Sequence, residues 1–327
     1  MIPLSVLDLA PVPDGLDVGD ALRASLSLAR HVEGLGFNRF WMAEHHSMPG
    51  IASAATAVAL AHVAAGTSTI RIGAGGIMLP NHSPLQVAEQ FGTLAALHPG
   101  RIDLGLGRAP GTDQAAARAI RRTLESDPNA FPRDVMELRA YFAPHDPSAR
   151  VRAIPGEGLE VPLWILGSSL FGAELAALLG LPFAFASHFA PQMMGQAVAL
   201  YRSRFQPSAQ IAAPYVMLGF NVFAADSDDE GELLATSLYQ AFVNLRSGRP
   251  GKLPRPHPGY RESLPLEAGL MLDDMLSSSA IGSSATVRAK LSAFVERTGA
   301  DELMITSQIH DHDARLKSYA LLAEAVA

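Results

Sequence analysis

The chain has 327 residues, of which 48% are hydrophobic and 17% are charged, so there is enough apolar material for one large folded domain. Its formal net charge is −7 and it has no long basic run, which argues against nucleic acid as a main partner. The chain has no cysteine, and this excludes disulfides, thiolate metal sites and a cysteine nucleophile.

At the N-terminus, residues 1–8 show no targeting signal. They lack the basic segment and the cleavage site of a secretory leader. No apolar run in the chain approaches the ~18 residues of a membrane span. We therefore expect a cytoplasmic protein that makes no membrane contact.

Strand and helix patterns then alternate along the first third of the chain. Their spacing predicts strands at residues 2–9, 37–43, 69–78 and 101–107, and helices at residues 18–35, 53–66 and 84–97. The third helix is the best defined, because Pro84 suits its first turn and Pro99 with Gly100 ends it.

The alternation of predicted strands and helices is interrupted twice in the rest of the chain. Residues 109–160 are rich in Arg, Pro and Ala and predict an insertion after the fourth strand. A second insertion is predicted over about residues 225–282, where residues 248–280 are rich in Pro, Gly and Ser and form a candidate lid. The remaining predicted elements are strands at residues 161–166, 182–187, 214–224 and 301–306, and helices at residues 169–180, 191–204, 226–247, 284–298 and 312–326.

This count gives eight strands joined by helical crossovers. It predicts an α/β fold, a (β/α)8 TIM barrel that forms one domain over residues 1–327 with insertions after strands 4 and 7. Barrel active sites lie at the carboxyl ends of the strands, so polar and glycine residues that follow a predicted strand are the candidate site residues.

Two such groups follow the second and third strands. His45 and His46 come after strand 2, where adjacent side chains point to opposite sides. They could be loop histidines held by carboxylates such as Glu44, or one of them could face the barrel mouth. Gly75 and Gly76 follow strand 3 and could form a tight turn or a bulge.

The fourth and fifth strands are followed by groups that suit an anion. Arg108 comes after strand 4, where a lone arginine is either solvated or a fork that matches phosphate geometry. Gly167, Ser168 and Ser169 lie between strand 5 and the next helix. They are either a plain serine N-cap or a phosphate site made by free backbone N–H groups and hydroxyls.

Taken in order, these motifs resemble the bacterial-luciferase-like flavin-dependent monooxygenases, in particular the single-component members. The resemblance runs across nearly the whole chain and includes ADELMIT at 300–306. Its other segments are WMAEHH at 41–46, GAGGIMLP at 73–80, GLGR at 105–108, WILGSS at 164–169 and LPFAFASH at 181–188.

The resemblance implies an enzyme that binds reduced FMN and uses O2 to oxygenate a small organic substrate. By analogy His45 is the catalytic acid–base residue, and Gly75 and Gly76 lie under the flavin ring. Arg108 and the turn of Gly167, Ser168 and Ser169 are the expected phosphate ligands. The helix that follows this turn lacks the additional hydroxyl residue found in many family members.

The resemblance also bears on partners. Family members pair as homodimers through the region of the helices at residues 53–66 and 84–97, which are rich in Ala and Leu here. The chain has no Gly-x-Gly-x-x-Gly fingerprint at a first βα turn, so it does not predict an internal NAD(P)H-binding domain. Reduced flavin would come from a separate reductase or be formed by free NAD(P)H.

Three alternatives remain open at this point. A dehydrogenase that uses the deazaflavin F420 shares the barrel and the phosphate site. A flavin-binding protein without turnover is disfavoured, because such family members have lost part of the barrel, whereas this chain is predicted to keep all eight strands. A metal-dependent barrel hydrolase would need Glu44, His45 and His46 to join His310, Asp311 and His312. We predict no metal, because the middle strand ends offer Arg108 and Ser168 in place of further ligands.

Overall fold

Eight parallel strands close into a barrel in the computed structural model of the chain, which describes residues 2–108, 114–120 and 130–327. Strands β1 to β7 pair in chain order, and β9 closes the ring between β7 and β1. The predicted TIM barrel is therefore confirmed. The described strands are β1 Leu4–Asp8, β2 Arg39–Met42, β3 Arg71–Met78, β4 Ile102–Gly107, β5 Leu163–Gly167, β6 Phe183–Phe185, β7 Val216–Ala225, β8 Ser279–Ser283 and β9 Glu302–Thr306.

Helices lie between the strands and cover the outside of the barrel. The third helix begins at Pro84, as predicted. The last one is capped by the Asp311 side chain, which accepts a hydrogen bond from the Ala314 amide. The described helices are α1 Val18–Gly34, α2 Thr56–Ala65, α3 Pro84–Leu97, α4 Gln114–Ile120, α5 Ala130–Phe142, α6 Leu170–Leu179, α7 Met194–Arg204, α8 Asp228–Arg246, α9 Leu266–Leu276, α10 Ser284–Thr298 and α11 His312–Val326.

The second predicted insertion contains more regular structure than its composition suggests. Residues 266–276 form α9, and β8 is a ninth strand that the sequence did not predict. β8 pairs in parallel with the second half of β7, beyond the part of β7 that pairs with β9. The sequence Ser-Ala-Ile-Gly-Ser has a single large apolar residue, so it carries no apolar run by which to recognise a strand.

The first predicted insertion, residues 109–160, is described only in part. Its described residues contain α4 and α5, and α5 packs against α3 on the outside of the barrel. Residues 109–113 and 121–129 lie outside the described part of the chain.

A buried ion network fills the barrel at the end where the strands begin. Arg39 donates hydrogen bonds to Asp103 at 2.7 Å and to Glu302 at 2.9 Å, and both carboxylates are fully buried. Burial alone would lower the pKa of Arg39, but the two adjacent carboxylates raise it above its ordinary value. Arg71 is a second partner of Asp103, and Tyr215 donates to Glu302 at 2.8 Å. The charges are therefore paired, as their burial requires.

An apolar layer lies above this network, inside the barrel. Trp41 and Trp164 meet edge to face with ring centroids 5.2 Å apart, and Leu7, Met217 and Met304 pack around them. This layer separates the ion network from the carboxyl ends of the strands, where the candidate site lies. Among the helices of the described residues, none is long and apolar enough to cross a membrane.

Candidate active site

A cavity of about 490 Å³ opens at the carboxyl ends of the barrel strands. Its volume is in the range of small-molecule and cofactor sites. All the site residues predicted from the sequence line it, although they come from four different strand ends. They are His45, Gly75, Gly76, Arg108, Gly167, Ser168 and Ser169.

Gly75 and Gly76 form the part of the floor above the buried tryptophans. The peptide bond between them is cis. From the pair Ala74–Leu104 to the pair Ile77–Leu106, β3 advances by three residues and β4 by two, so β3 has a bulge here. A side chain at either position would collide with its neighbours. A Cβ on Gly75 would lie 2.8 Å from a methyl group of Leu7, and a Cβ on Gly76 would lie 2.7 Å from the Gly105 carbonyl oxygen.

Arg108 and the start of α6 form a cradle with the chemistry of an anion site. The Arg108 guanidinium lies over the Phe171 ring, 4.1 Å from its centroid, and within the described part of the chain it pairs with no carboxylate. The N-cap residue of α6, Ser169, makes no side-chain capping bond, so the N–H groups of the first turn keep their hydrogen-bonding capacity. A guanidinium fork and a helix N-terminus on the same cavity suit a phosphate group.

His45 and His46 diverge, as expected for adjacent residues after a strand. His45 lines the cavity, whereas His46 turns away and its Nε2 lies 2.7 Å from the Glu44 carboxylate. The Nε2 of His82 lies 2.9 Å from the same oxygen, and the Met78 amide donates to the other one. Burial alone would raise the pKa of Glu44, but hydrogen bonds from the two imidazoles and from the Met78 amide lower it.

The described residues do contain one group with metal-like spacing, namely Glu44, His46 and His82. It is not the set required by the metallohydrolase alternative, because His45 is absent from it. The histidines after β9 are engaged elsewhere: His310 contacts the Asp14 carbonyl at 3.1 Å and His312 contacts the Ser27 hydroxyl at 3.0 Å. A carboxylate that joins two imidazoles by hydrogen bonds accounts for the geometry at Glu44.

Several residues that the sequence prediction did not assign also line the cavity. Three are polar: His188 follows β6, Asn221 lies within β7 and Gln308 follows β9. The apolar wall between β6 and the insertion includes Phe189, Leu238, Phe242, Leu245 and Met275.

The predicted lid segment supplies part of the same wall. Pro250, Gly251 and Leu253 line the cavity. The Leu253 amide donates to the Val12 carbonyl at 2.8 Å, and the Leu253 carbonyl accepts from the Asp14 amide at 2.9 Å. The segment is thus joined to the loop after β1 and covers one side of the barrel mouth.

Known proteins are similar to this chain along most of its length. The profile of the luciferase-like monooxygenases matches residues 2–302. A protein of Escherichia coli (strain K12) described as a luciferase-like monooxygenase is 53% identical over 320 residues, which are 98% of this chain and 96% of that protein. The N-acetyl-S-alkylcysteine monooxygenase of Bacillus subtilis (strain 168) is 34% identical over 255 residues, which are 76% of this chain and 75% of that protein.

Solved structures are also similar to this chain. The crystal structure of apo-MsnO8 is 37% identical and superposes with a TM-score of 0.89, covering 100% of this chain and 98% of that one. Two more distant structures show that the fold is shared. The oxygenating constituent of 3,6-diketocamphane monooxygenase from Pseudomonas putida in complex with FMN is 16% identical with a TM-score of 0.73, covering 99% of this chain and 97% of that one. An F420-dependent secondary alcohol dehydrogenase is 15% identical with a TM-score of 0.71, covering 100% of this chain and 99% of that one.

The fold thus defines an α/β barrel with a candidate anion site in the cavity at its strand ends. The chain belongs to the luciferase-like monooxygenase family.

Proposed function

We propose that the chain is an FMN-dependent monooxygenase that transfers one oxygen atom from O2 to a small organic substrate. The observation that carries this proposal is the convergence of an open anion cradle and a glycine floor on one largely apolar cavity. Arg108 and the first turn of α6 would hold the FMN phosphate, and Gly75 and Gly76 would face the flavin ring.

The residues present fit such a cofactor. Arg108 and the start of α6 leave cationic and N–H groups without an anionic partner inside the described structure. Gly172, in the first turn of α6, also lines the cavity and has no side chain that could occupy the space of an anion.

Bound reduced FMN would supply the electrons for O2 activation, in which one oxygen atom enters the substrate and the other leaves as water. The protein would contribute by excluding bulk water and by moving protons. The apolar residues Phe189, Leu238 and Phe242 line the cavity and would restrict water around the substrate. His45 lines the cavity at the end of β2 and would exchange a proton with the reacting groups.

Other parts of the proposal concern partners and location. We expect the protein to act in the cytoplasm as a homodimer. A separate flavin reductase, or free NAD(P)H, would provide reduced FMN. The exposed apolar side chains of Val58 and Leu97 on α2 and α3 support the pairing of two copies through these helices.

The alternative is a dehydrogenase that uses F420, since a deazaflavin cofactor would occupy the same kind of cradle. Titration of the purified protein with FMN and, separately, with F420 distinguishes the two. We expect saturable binding of FMN that is tighter than binding of F420. Binding of F420 alone, or of neither cofactor, would overturn the FMN assignment.

The relatives suggest a first substrate to test. Because one of them is named an N-acetyl-S-alkylcysteine monooxygenase, N-acetyl-S-benzylcysteine is a reasonable starting thioether. The assay would supply FMN, a flavin reductase, NADH and ¹⁸O2, and would detect labelled product by mass spectrometry. We expect a label from O2 in the product, and a label from water would contradict the proposed chemistry.

A further inference from the structure

The second histidine of the cavity, His188, is held in an unusual way. It follows β6 and lines the cavity, but its Nδ1 atom is buried and has no hydrogen-bond partner. The buried nitrogen rests against Gly219 of β7, where a Cβ would lie only 2.0 Å from Nδ1. Glycine is thus required at position 219 for the ring to occupy this place.

This contact determines which ring nitrogen carries the proton. The Cα–H bond of Gly219 that replaces a side chain points at Nδ1. A proton on Nδ1 would collide with that hydrogen, whereas a lone pair on Nδ1 accepts it in a weak C–H···N contact. A ring turned by 180° would bring a Cδ2–H group against the same hydrogen. The contact therefore favours the neutral ring with its proton on Nε2.

The surroundings keep the ring fixed and uncharged. The His188 carbonyl accepts a hydrogen bond of 2.8 Å from the Asn221 amide group, which also donates to the Ser279 hydroxyl at 3.1 Å. The backbone of His188 is thereby tied to β7 and β8. Burial, and then the charge of nearby His45, lower the pKa of His188 to about 4.

With Nδ1 enclosed, Nε2 is the nitrogen by which His188 reaches the cavity. The lining also includes the apolar residue Phe189, next to His188 in the chain, and its ring meets that of Phe242 with centroids 6.1 Å apart. Arg246 stacks on the rings of Phe189 and Phe242, at 5.0 Å and 5.1 Å, and is not part of the lining. An Nε2–H group in this setting offers a single directed hydrogen bond to a ligand.

We propose that His188 is a substrate-binding residue: its Nε2–H donates a hydrogen bond to an acceptor atom of the substrate in the cavity. The two histidines of the cavity then have different tasks. His188 stays neutral and orients the substrate, and His45 exchanges protons. This inference rests on the proposed function for the identity of the substrate site, but the tautomer and the probe preference can both be measured without flavin and without turnover.

The tautomer is the first test. In protein labelled with ¹⁵N-histidine, long-range ¹H–¹⁵N spectra report which nitrogen of each ring is protonated, and His188→Gln identifies the signal of His188. We expect a neutral ring with the proton on Nε2 from about pH 8 to about pH 5. A proton on Nδ1, or protonation of the ring within this pH range, would overturn the proposal.

The second test compares two probes of nearly the same shape. 2-Acetylnaphthalene carries a carbonyl acceptor, whereas 2-ethylnaphthalene does not, and calorimetry measures their binding to the protein with and without FMN. We expect the ketone to bind about fivefold more tightly, which is the net effect of one hydrogen bond. His188→Phe should abolish this preference, and His188→Gln should restore part of it because its amide N–H can replace Nε2–H.

Two outcomes of the probe experiment would overturn the proposal: an unchanged preference in His188→Phe, or failure of the parent protein to bind either probe. FMN affinity, measured on the same variants, should equal that of the parent. A parent that shows the ketone preference but binds no FMN would contradict the proposed cofactor and leave the role of His188 intact.

Discussion

Replacement of Arg108 by alanine is the sharpest test of the phosphate cradle. Its guanidinium faces the cavity, lies over Phe171 and pairs with no carboxylate among the described residues. A charge-assisted hydrogen bond contributes ~1.5–3 kcal/mol, which corresponds to a ~10- to 150-fold change in affinity. Because Arg108 is exposed to solvent, we expect the lower part of this range, a ~10- to 30-fold loss of FMN affinity at low salt.

The contact with Phe171 does not enter this difference to first order, because it is present in both free and bound protein. Arg108→Lys keeps the charge and loses the two-pronged geometry, so its affinity should fall between those of the parent and Arg108→Ala. Arg246→Ala is the matched control, since Arg246 also stacks on aromatic rings but does not line the cavity. Calorimetric titration with FMN at two salt concentrations gives all four affinities. Parent-like affinity in Arg108→Ala, or an equal loss in Arg246→Ala, would refute the assignment.

Three further predictions follow from the site and its surroundings. His45→Ala should keep FMN affinity but slow oxygenation by ~10²–10⁴-fold and release more hydrogen peroxide per reduced flavin, whereas His46→Ala should affect stability or dimerisation. The same yield of oxygenated product per reduced flavin in the parent and in His45→Ala would remove His45 from the mechanism. Sedimentation should show a dimer with an interface of roughly 2,000 Å² or more, and a monomer at micromolar concentration would contradict it. Since the pKa of Glu44 is lowered on folding, its ionised form should stabilise the protein above its ordinary pKa of 4.5, and this stabilisation should fade as the pH falls through the lowered value. Glu44→Gln should remove this dependence in thermal unfolding measured against pH, and Glu267→Gln, at an exposed position, is the control.

The parts of the fold that the sequence predicted are those with a strong local pattern. The eight barrel strands are apolar runs bounded by turn residues, and α3 has proline at its start. β8 and α9 lacked such signals. β8 has only Ala280 and Gly282 buried, so its pairing depends on the extension of β7 past the barrel rim, which no local pattern reveals.

The same reasoning explains which cavity residues were found. His45, Arg108 and Ser168 directly follow apolar strands, and a rule about strand ends finds them. That rule also selects His188 after β6, a residue that lies at the end of the family motif LPFAFASH. The rule does not find Asn221, because β7 continues for four residues beyond it. The end of this strand therefore does not mark the rim of the barrel.

The position of bound FMN tests the central claim most directly. A crystal structure of the protein soaked or co-crystallised with FMN would locate the phosphate and the ring. We predict the phosphate between the Arg108 guanidinium and the N-terminus of α6, with the flavin ring against Gly75 and Gly76 and its edge toward His45. A phosphate bound elsewhere, or a ring outside this cavity, would contradict the account.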